Sequence, residues 1–273
     1  MKPRTLILRT AGTNCDKETA HAFELAGATT EAIHINRLLA EPGLIEGFQI
    51  LAFPGGFSYG DDIAAGKILA NQISHHLRDV LRDFIAAGKP IIGICNGFQV
   101  LVKTDLLPGD IGGQGSSIRT GQTATLAHND CGRFIDRWIS LAPRKSRCIW
   151  TQDLPASFEL PIAHGEGKFV PADESVRQAL HANEQIALVY AKADGSPAGG
   201  AAPANPNGST DDIAGVCDAT GLVFGLMPHP ERYVSPFQHY AWTRQTPPPE
   251  AGIGLRVFKN AVQYAKSGVG AGV

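Results

Sequence analysis

Lys89-Pro-Ile-Ile-Gly-Ile-Cys-Asn-Gly-Phe-Gln99 runs from an apolar strand straight into a helix-forming segment, and the turn between them is compressed into Gly93-Ile94-Cys95-Asn96-Gly97. Flanking glycines let the chain turn sharply without a Cβ clash, so the side chain between them is lifted off the strand end and aimed at the next helix's N-terminus. A helix N-terminus lowers the pKa of a thiol placed there and offers free N–H groups to an oxyanion. An isolated cysteine is more often a buried structural residue. The Gly-x-Cys-x-Gly setting between strand and helix favours a nucleophile instead.

A nucleophile needs a base, and Gly221-Leu-Val-Phe-Gly-Leu-Met-Pro-His-Pro-Glu-Arg232 offers one directly after a second apolar strand. Pro228 and Pro230 are expected to hold the backbone extended, where residues two apart share a side, so that Glu231 orients the imidazole of His229. Cys95, His229 and Glu231 would then make a triad. A third strand, within Phe48–Phe53, runs into Pro54-Gly55-Gly56, where bare backbone can approach a ligand. The amides of Gly56 and Asn96 are the candidate oxyanion hole. Alone, the Gly-Gly pair reads as a turn and the His-Pro-Glu segment as a proline-rich bend.

Strands at Leu6–Leu8, Glu31–Ile35, Phe48–Phe53 and Pro90–Ile94, with a helix at Lys17–Ala26 between the first two, alternate in the manner of a parallel sheet. Past Gly109 the pattern changes to closely spaced strands at Arg137–Leu141, Pro161–His164, Ile186–Ala191 and Ile213–Cys217, read as antiparallel additions at one edge. The turn Asp218–Gly221 joins a hairpin to the strand before His229. Ala193–Thr210 reads as a loop, and a last helix spans Leu255–Lys266 after the break at Pro247-Pro-Pro-Glu250. The motifs span the chain end to end, so residues 1–267 are read as a single domain and 268–273 as a disordered tail.

At 273 residues and 43% hydrophobic content the chain can bury one substantial core, and its net charge of -2 leaves no electrostatic footprint for nucleic acid or an anionic membrane. Five cysteines, an odd number without framework spacing, suit a reducing compartment. Arg9 interrupts the first apolar segment too early for a signal peptide, and no apolar run is long enough to span a bilayer. A soluble cytoplasmic protein is expected. No cysteine pair has metal spacing, and no metal is expected. Cys131, Cys148 and Cys217 read as structural, Cys15 as packing near the site's rim, and His75-His76 as solvated on a surface helix.

The ordered set Pro-Gly-Gly, Gly-x-Cys-x-Gly-x-Gln and His-Pro-Glu resembles the class I glutamine amidotransferases. Gly12-Thr-Asn-Cys-Asp16, Phe57-Ser-Tyr-Gly-Asp-Asp62, Ala163-His-Gly-Glu-Gly167 and Asn205-Pro-Asn-Gly-Ser209 narrow the resemblance to the family of glutaminase subunits of phosphoribosylformylglycinamidine synthases, over Thr5 to about Lys266. The resemblance implies an α/β fold, a flavodoxin-like doubly wound, mostly parallel sheet with antiparallel edge additions. It implies hydrolysis of glutamine through a cysteinyl thioester, with Gly55, Phe57 and Gln99 lining the glutamine site. It places catalysis on His229 and Glu231 rather than on His164 and Glu166, which repeat the His-x-Glu spacing, and it marks Asn205–Ser209 as an ordered part of its loop. No Gly-x-x-x-x-Gly-Lys-Ser/Thr loop is present, so no cofactor is expected in this chain. ATP and magnesium are expected on a partner synthetase subunit that receives the ammonia and converts formylglycinamide ribonucleotide, with a small bridging subunit between the two. Two rivals stand beside this reading: a stand-alone gamma-glutamyl hydrolase or peptidase on the same scaffold, and a catalytically idle binding module.

Overall fold

The computed structural model describes residues 1–109, 111, 121–247 and 249–268. All of the expected disordered tail beyond Gly268 lies outside these residues, as does Pro248 of the proline run. Strands β1 (Arg4–Arg9), β2 (Thr29–His34), β3 (Ile50–Phe53), β4 (Ile91–Ile94) and β11 (Val223–Leu226) pair in parallel in the order β2-β1-β3-β4-β11. With β11 counted as the fifth strand this is the flavodoxin-like order, whose switch point lies between β1 and β3. β3 and β4 are buried at every residue, which is why Ile50–Phe53 and Ile91–Ile94 read as unbroken apolar runs rather than alternating ones.

Beyond β11 the same sheet continues through β10 (Ile213–Cys217), β9 (Ile186–Ala191), β6 (Ile135–Pro143) and β7 (Phe158–His164), all antiparallel, as the closely spaced strands of the second half imply. Helix α1 (Asp16–Leu25) packs with α7 (Gly254–Lys266), and Phe23 meets Phe258 edge to face at 4.9 Å. Helix α3 (Lys67–His76), with His75 and His76 exposed, pairs with α5 (Asn96–Lys103). Among the described residues no helix is long and apolar enough to cross a membrane.

Among the α-helices and strands of the described residues, five have no counterpart in the sequence reading. They are α2 (Ile35–Ala40), α4 (Arg78–Ala86), α6 (Glu174–Ala182) and a separate two-stranded sheet of β5 (Ala124–Ala127) with β8 (Lys168–Pro171). The helices are short, and α6 begins on an Asp173 cap that accepts the Val176 N–H at 3.0 Å, a local signal easily lost in a polar stretch. Inside the Ala193–Thr210 loop, Asn205 and Asn207 are buried, and the Asn207 amide donates to the Gly167 carbonyl at 2.8 Å and to Tyr190 at 3.0 Å. That end of the loop is held by the core, as its match to the resemblance implies.

Candidate active site

Cys95 stands alone between β4 and α5, at φ 52° and ψ -106°, a conformation that non-glycine residues adopt at a cost of order 1–3 kcal/mol and that clusters at functional sites. The sequence reading assigned the sharp turn to the glycines. Instead the positive φ falls on the cysteine, and the glycines answer close packing: a Cβ on Gly97 would lie 1.9 Å from the Phe53 carbonyl oxygen, and one on Gly93 2.6 Å from that of Gly97. Their absence of side chains lets α5 sit directly on β3 and β4. The Cys95 Sγ lies 3.6 Å from the Ala163 carbonyl oxygen, at the reach of a weak hydrogen bond.

His229 follows β11, and its N–H donates to the Pro161 carbonyl at 2.8 Å, tying the base to β7. Nδ1 meets Glu231 Oε1 at 2.6 Å, with both side chains buried. The expected reason for that contact is wrong. Residues 230–232 form a single 3-10 turn rather than an extended run, so Glu231 folds back onto the imidazole. Burial works against a charge on His229, but the negative charges of the Glu231 carboxylate and an ionised Cys95 sulfur outweigh it and hold its pKa well above the ordinary histidine value. Among the described residues, neither Nε2 of His229 nor Oε2 of Glu231, both buried, has a hydrogen-bond partner.

Cys15 is 1% exposed and packs beside Gly55 next to the base, deeper than the rim position expected for it. Its backbone N–H donates to the Gly55 carbonyl at 3.2 Å, and the Phe57 N–H donates to Gly12 at 2.9 Å. Because a trans peptide sets C=O and N–H in opposite directions, the Gly56 N–H points away from Cys15, and Gly56 lines the cavity that holds Cys95. Gly55 touches the centre of the site: a Cβ there would lie 2.9 Å from His229 Cε1, 3.2 Å from Cys15 Sγ and 3.5 Å from Cys95 Cβ. Asn96 begins α5, so its N–H belongs to the first turn, whose donors lack intrahelical acceptors.

A cavity of about 220 Å³ opens over Cys95, lined among others by Gly56, Phe57, Asp61, Gln99 and His164. Gln99 forms its wall, yet both ends of its amide are engaged, Oε1 by Asn96 at 2.9 Å and Nε2 by the Glu166 carbonyl at 2.6 Å. Phe57 is 46% exposed at the mouth, with its ring 6.3 Å from that of Phe134. Burial pushes the Asp61 carboxyl above its usual range, against hydrogen bonds from Gly66 and Asn96.

His164 and Glu166 do not form a second dyad. The Asn129 Nδ2 donates to the carbonyls of Arg133 and His164 at 2.9 and 2.8 Å, leaving Oδ1 to accept from the Gly167 N–H at 3.1 Å and from His164 Nδ1 at 3.0 Å. This network makes Nδ1 the protonated nitrogen of His164 and Nε2 a buried lone pair without a partner. Burial, then the neighbouring His229, lowers its pKa to about 3. Glu166 turns away, accepting the Ala65 N–H at 3.4 Å. Asn129, which fixes this tautomer, escaped the sequence reading because an Asn-Asp pair in a turn carries no further signal.

Residues 2–265 match the profile of the CobB/CobQ-like glutamine amidotransferase domain. A phosphoribosylformylglycinamidine synthase subunit PurQ of Dehalococcoides mccartyi is 47% identical over 97% of this chain and 98% of its own length. One of Treponema denticola is 49% identical over 86% of this chain and 89% of its own. The structure of PurLQS from Thermotoga maritima superposes with a TM-score of 0.71 at 29% identity, covering 97% of this chain and 99% of that one. With the elbow, its neighbouring histidine and the flavodoxin-like sheet all in one chain, this protein belongs to the CobB/CobQ-like glutamine amidotransferase family.

Proposed function

We infer that this chain is the glutaminase subunit of a phosphoribosylformylglycinamidine synthase of purine biosynthesis, working in the cytoplasm as one domain over residues 1–267. The observation that carries the chemistry is Cys95 on its strained elbow, at the floor of a cavity, with the buried His229–Glu231 pair beside it. In the first half-reaction the Cys95 thiolate, paired with the imidazolium of His229, attacks the glutamine carboxamide carbon, and the Gly56 and Asn96 amides receive the developing oxyanion. His229, whose raised pKa supplies a proton, protonates the departing ammonia and leaves a glutamyl thioester. The now neutral imidazole, oriented by Glu231, then takes a proton from water, which cleaves the thioester to glutamate and restores the thiolate–imidazolium pair.

Glutamine would lie against Gly55, Phe57 and the Gln99 wall. Ammonia passes to a synthetase subunit, with a small bridging subunit, that uses ATP and magnesium to convert formylglycinamide ribonucleotide to its amidine. The high identity over nearly full lengths to the two PurQ subunits supports that assignment. Co-purification with the synthetase, followed by a glutamine-dependent assay with formylglycinamide ribonucleotide, tests it. Glutamine hydrolysis without any amidine product in the reconstituted complex would favour a stand-alone gamma-glutamyl hydrolase.

A further inference from the structure

At the catalytic histidine two distant parts of the chain converge, Cys15 from one and His229 with Glu231 from the other. One ligand atom each of Cys15, His229 and Glu231 lies within 4.8 Å of the other two, and all three residues are buried. A tetrahedral zinc ion places its ligand atoms roughly 3 to 4 Å apart, so shifts of about an ångström close the cluster. Among the described residues, His229 Nε2 and Glu231 Oε2 are buried and make no hydrogen bond, so both atoms can turn to a metal once the imidazolium gives up a proton. The sulfur already attracts a cation: Arg232 Nη2 lies 3.2 Å from Cys15 Sγ, and the same guanidinium reaches Glu18 at 3.3 Å.

We propose that Cys15, His229 and Glu231 form an inhibitory site for a borderline-soft divalent cation of the zinc class. Thiolate, imidazole and carboxylate are the donor set that zinc takes in proteins. Binding releases the Cys15 thiol proton and one imidazolium proton of His229 to solvent, and moves the guanidinium off the sulfur onto Glu18, which is within its reach. Inhibition follows whichever nitrogen of His229 is used. A metal on Nε2 removes the atom that exchanges protons with substrate, and a metal on Nδ1 replaces the Glu231 hydrogen bond. The sequence gives no hint of the cluster, because its ligands leave the ends of β1 and β11 and meet only in the folded sheet.

The inhibitory consequence rests on the glutaminase reading, whereas metal binding does not. Binding is therefore read first by spectroscopy, on Cys95→Ala/Cys131→Ser protein, which lacks the catalytic and the exposed thiols. Cobalt(II) should produce a thiolate-to-metal absorption band, and adding Cys15→Ser should abolish it or weaken binding at least about tenfold. An unchanged band in the Cys15→Ser protein, or no band at millimolar cobalt, overturns the site. In the intact subunit with its synthetase, zinc should suppress glutaminase reversibly by EDTA. Cys15→Ser, compared with its own metal-free rate, should need at least about tenfold more zinc. Equal sensitivity would place the metal on Cys95 and defeat the proposal. Absence of glutaminase activity alongside an intact cobalt band would instead count against the function.

Discussion

At the scale of single residues, the reacting groups were legible because their chemistry is tied to local punctuation. Glycines around Cys95 and prolines around His229 marked both strand ends, and the fold brings the two together. What stayed hidden were relations across the chain, such as Asn129 fixing the tautomer of His164, or Cys15 lying next to the base. Cys95→Ala should abolish glutamine-dependent synthesis while the complex still uses external ammonia; parallel loss of both would make Cys95 a folding residue. His229→Ala should cost at least about a hundredfold in glutamine turnover, and His164→Ala far less, measured as steady-state glutamate release. His164 also makes a pH prediction. Its folded pKa of about 3 lies below the unfolded value near 6.5, so in that window the unfolded chain binds more protons. The stability it permits is complete above pH 6.5 and is lost as pH falls, by at most about 1.4 kcal/mol per unit. Urea midpoints of His164→Gln should therefore decline less between pH 7 and 5 than those of the wild type, and equal declines would mean His164 is not held neutral. His229, raised rather than lowered, acts in the opposite sense, adding stability below its unfolded pKa that disappears as pH climbs through the folded one.

Among the elements, strands with unbroken apolar sequence and the long terminal helix were readable, and Ile186–Ala191 and Ile213–Cys217 coincide with their expected bounds. Short helices and the β5–β8 pair were not, because a few residues carry too little periodicity to separate helix from loop. The turn 230–232 shows a different limit. Proline restricts φ but leaves ψ open, so a Pro-flanked histidine can lead into an extended run or, as here, a tight turn. The elbow's most sensitive contact is between elements: Gly97 on α5 faces the Phe53 carbonyl of β3. Gly97→Ala should push α5 off the sheet, costing about 1–3 kcal/mol by overpacking, with a glutaminase loss greater than the lost folded fraction explains. Circular dichroism melting together with turnover per folded molecule checks both halves. A variant of native stability and rate would show that α5 can shift freely.

For the molecule as a whole, the resting site is assembled but not engaged. The Cys95 sulfur lies 3.6 Å from the Ala163 carbonyl oxygen, and among the described residues no partner sits within ordinary hydrogen-bond distance of His229 Nε2. The isolated subunit should accordingly be slow, and the synthetase loaded with nucleotide and substrate should raise glutamine turnover at least about tenfold, roughly 1.4 kcal/mol in the barrier. A Gly55–Gly56 peptide reorientation, which breaks the Cys15 N–H bond to Gly55 and loosens the Thr13–Gly56 bridge, is a route to that change. Full-speed hydrolysis by the lone subunit, indifferent to the partner, would sink this expectation. The position of β11 has a further consequence. One of the last strands made is inserted between β4 and β10, at the centre of the sheet, and it carries the base. A chain on the ribosome, or one cut before residue 223, is thus both chemically inert and left with β4 as an open apolar edge. Such fragments should self-associate through that edge rather than survive as partial enzymes, giving quality control a clear difference between a finished glutaminase and an unfinished one.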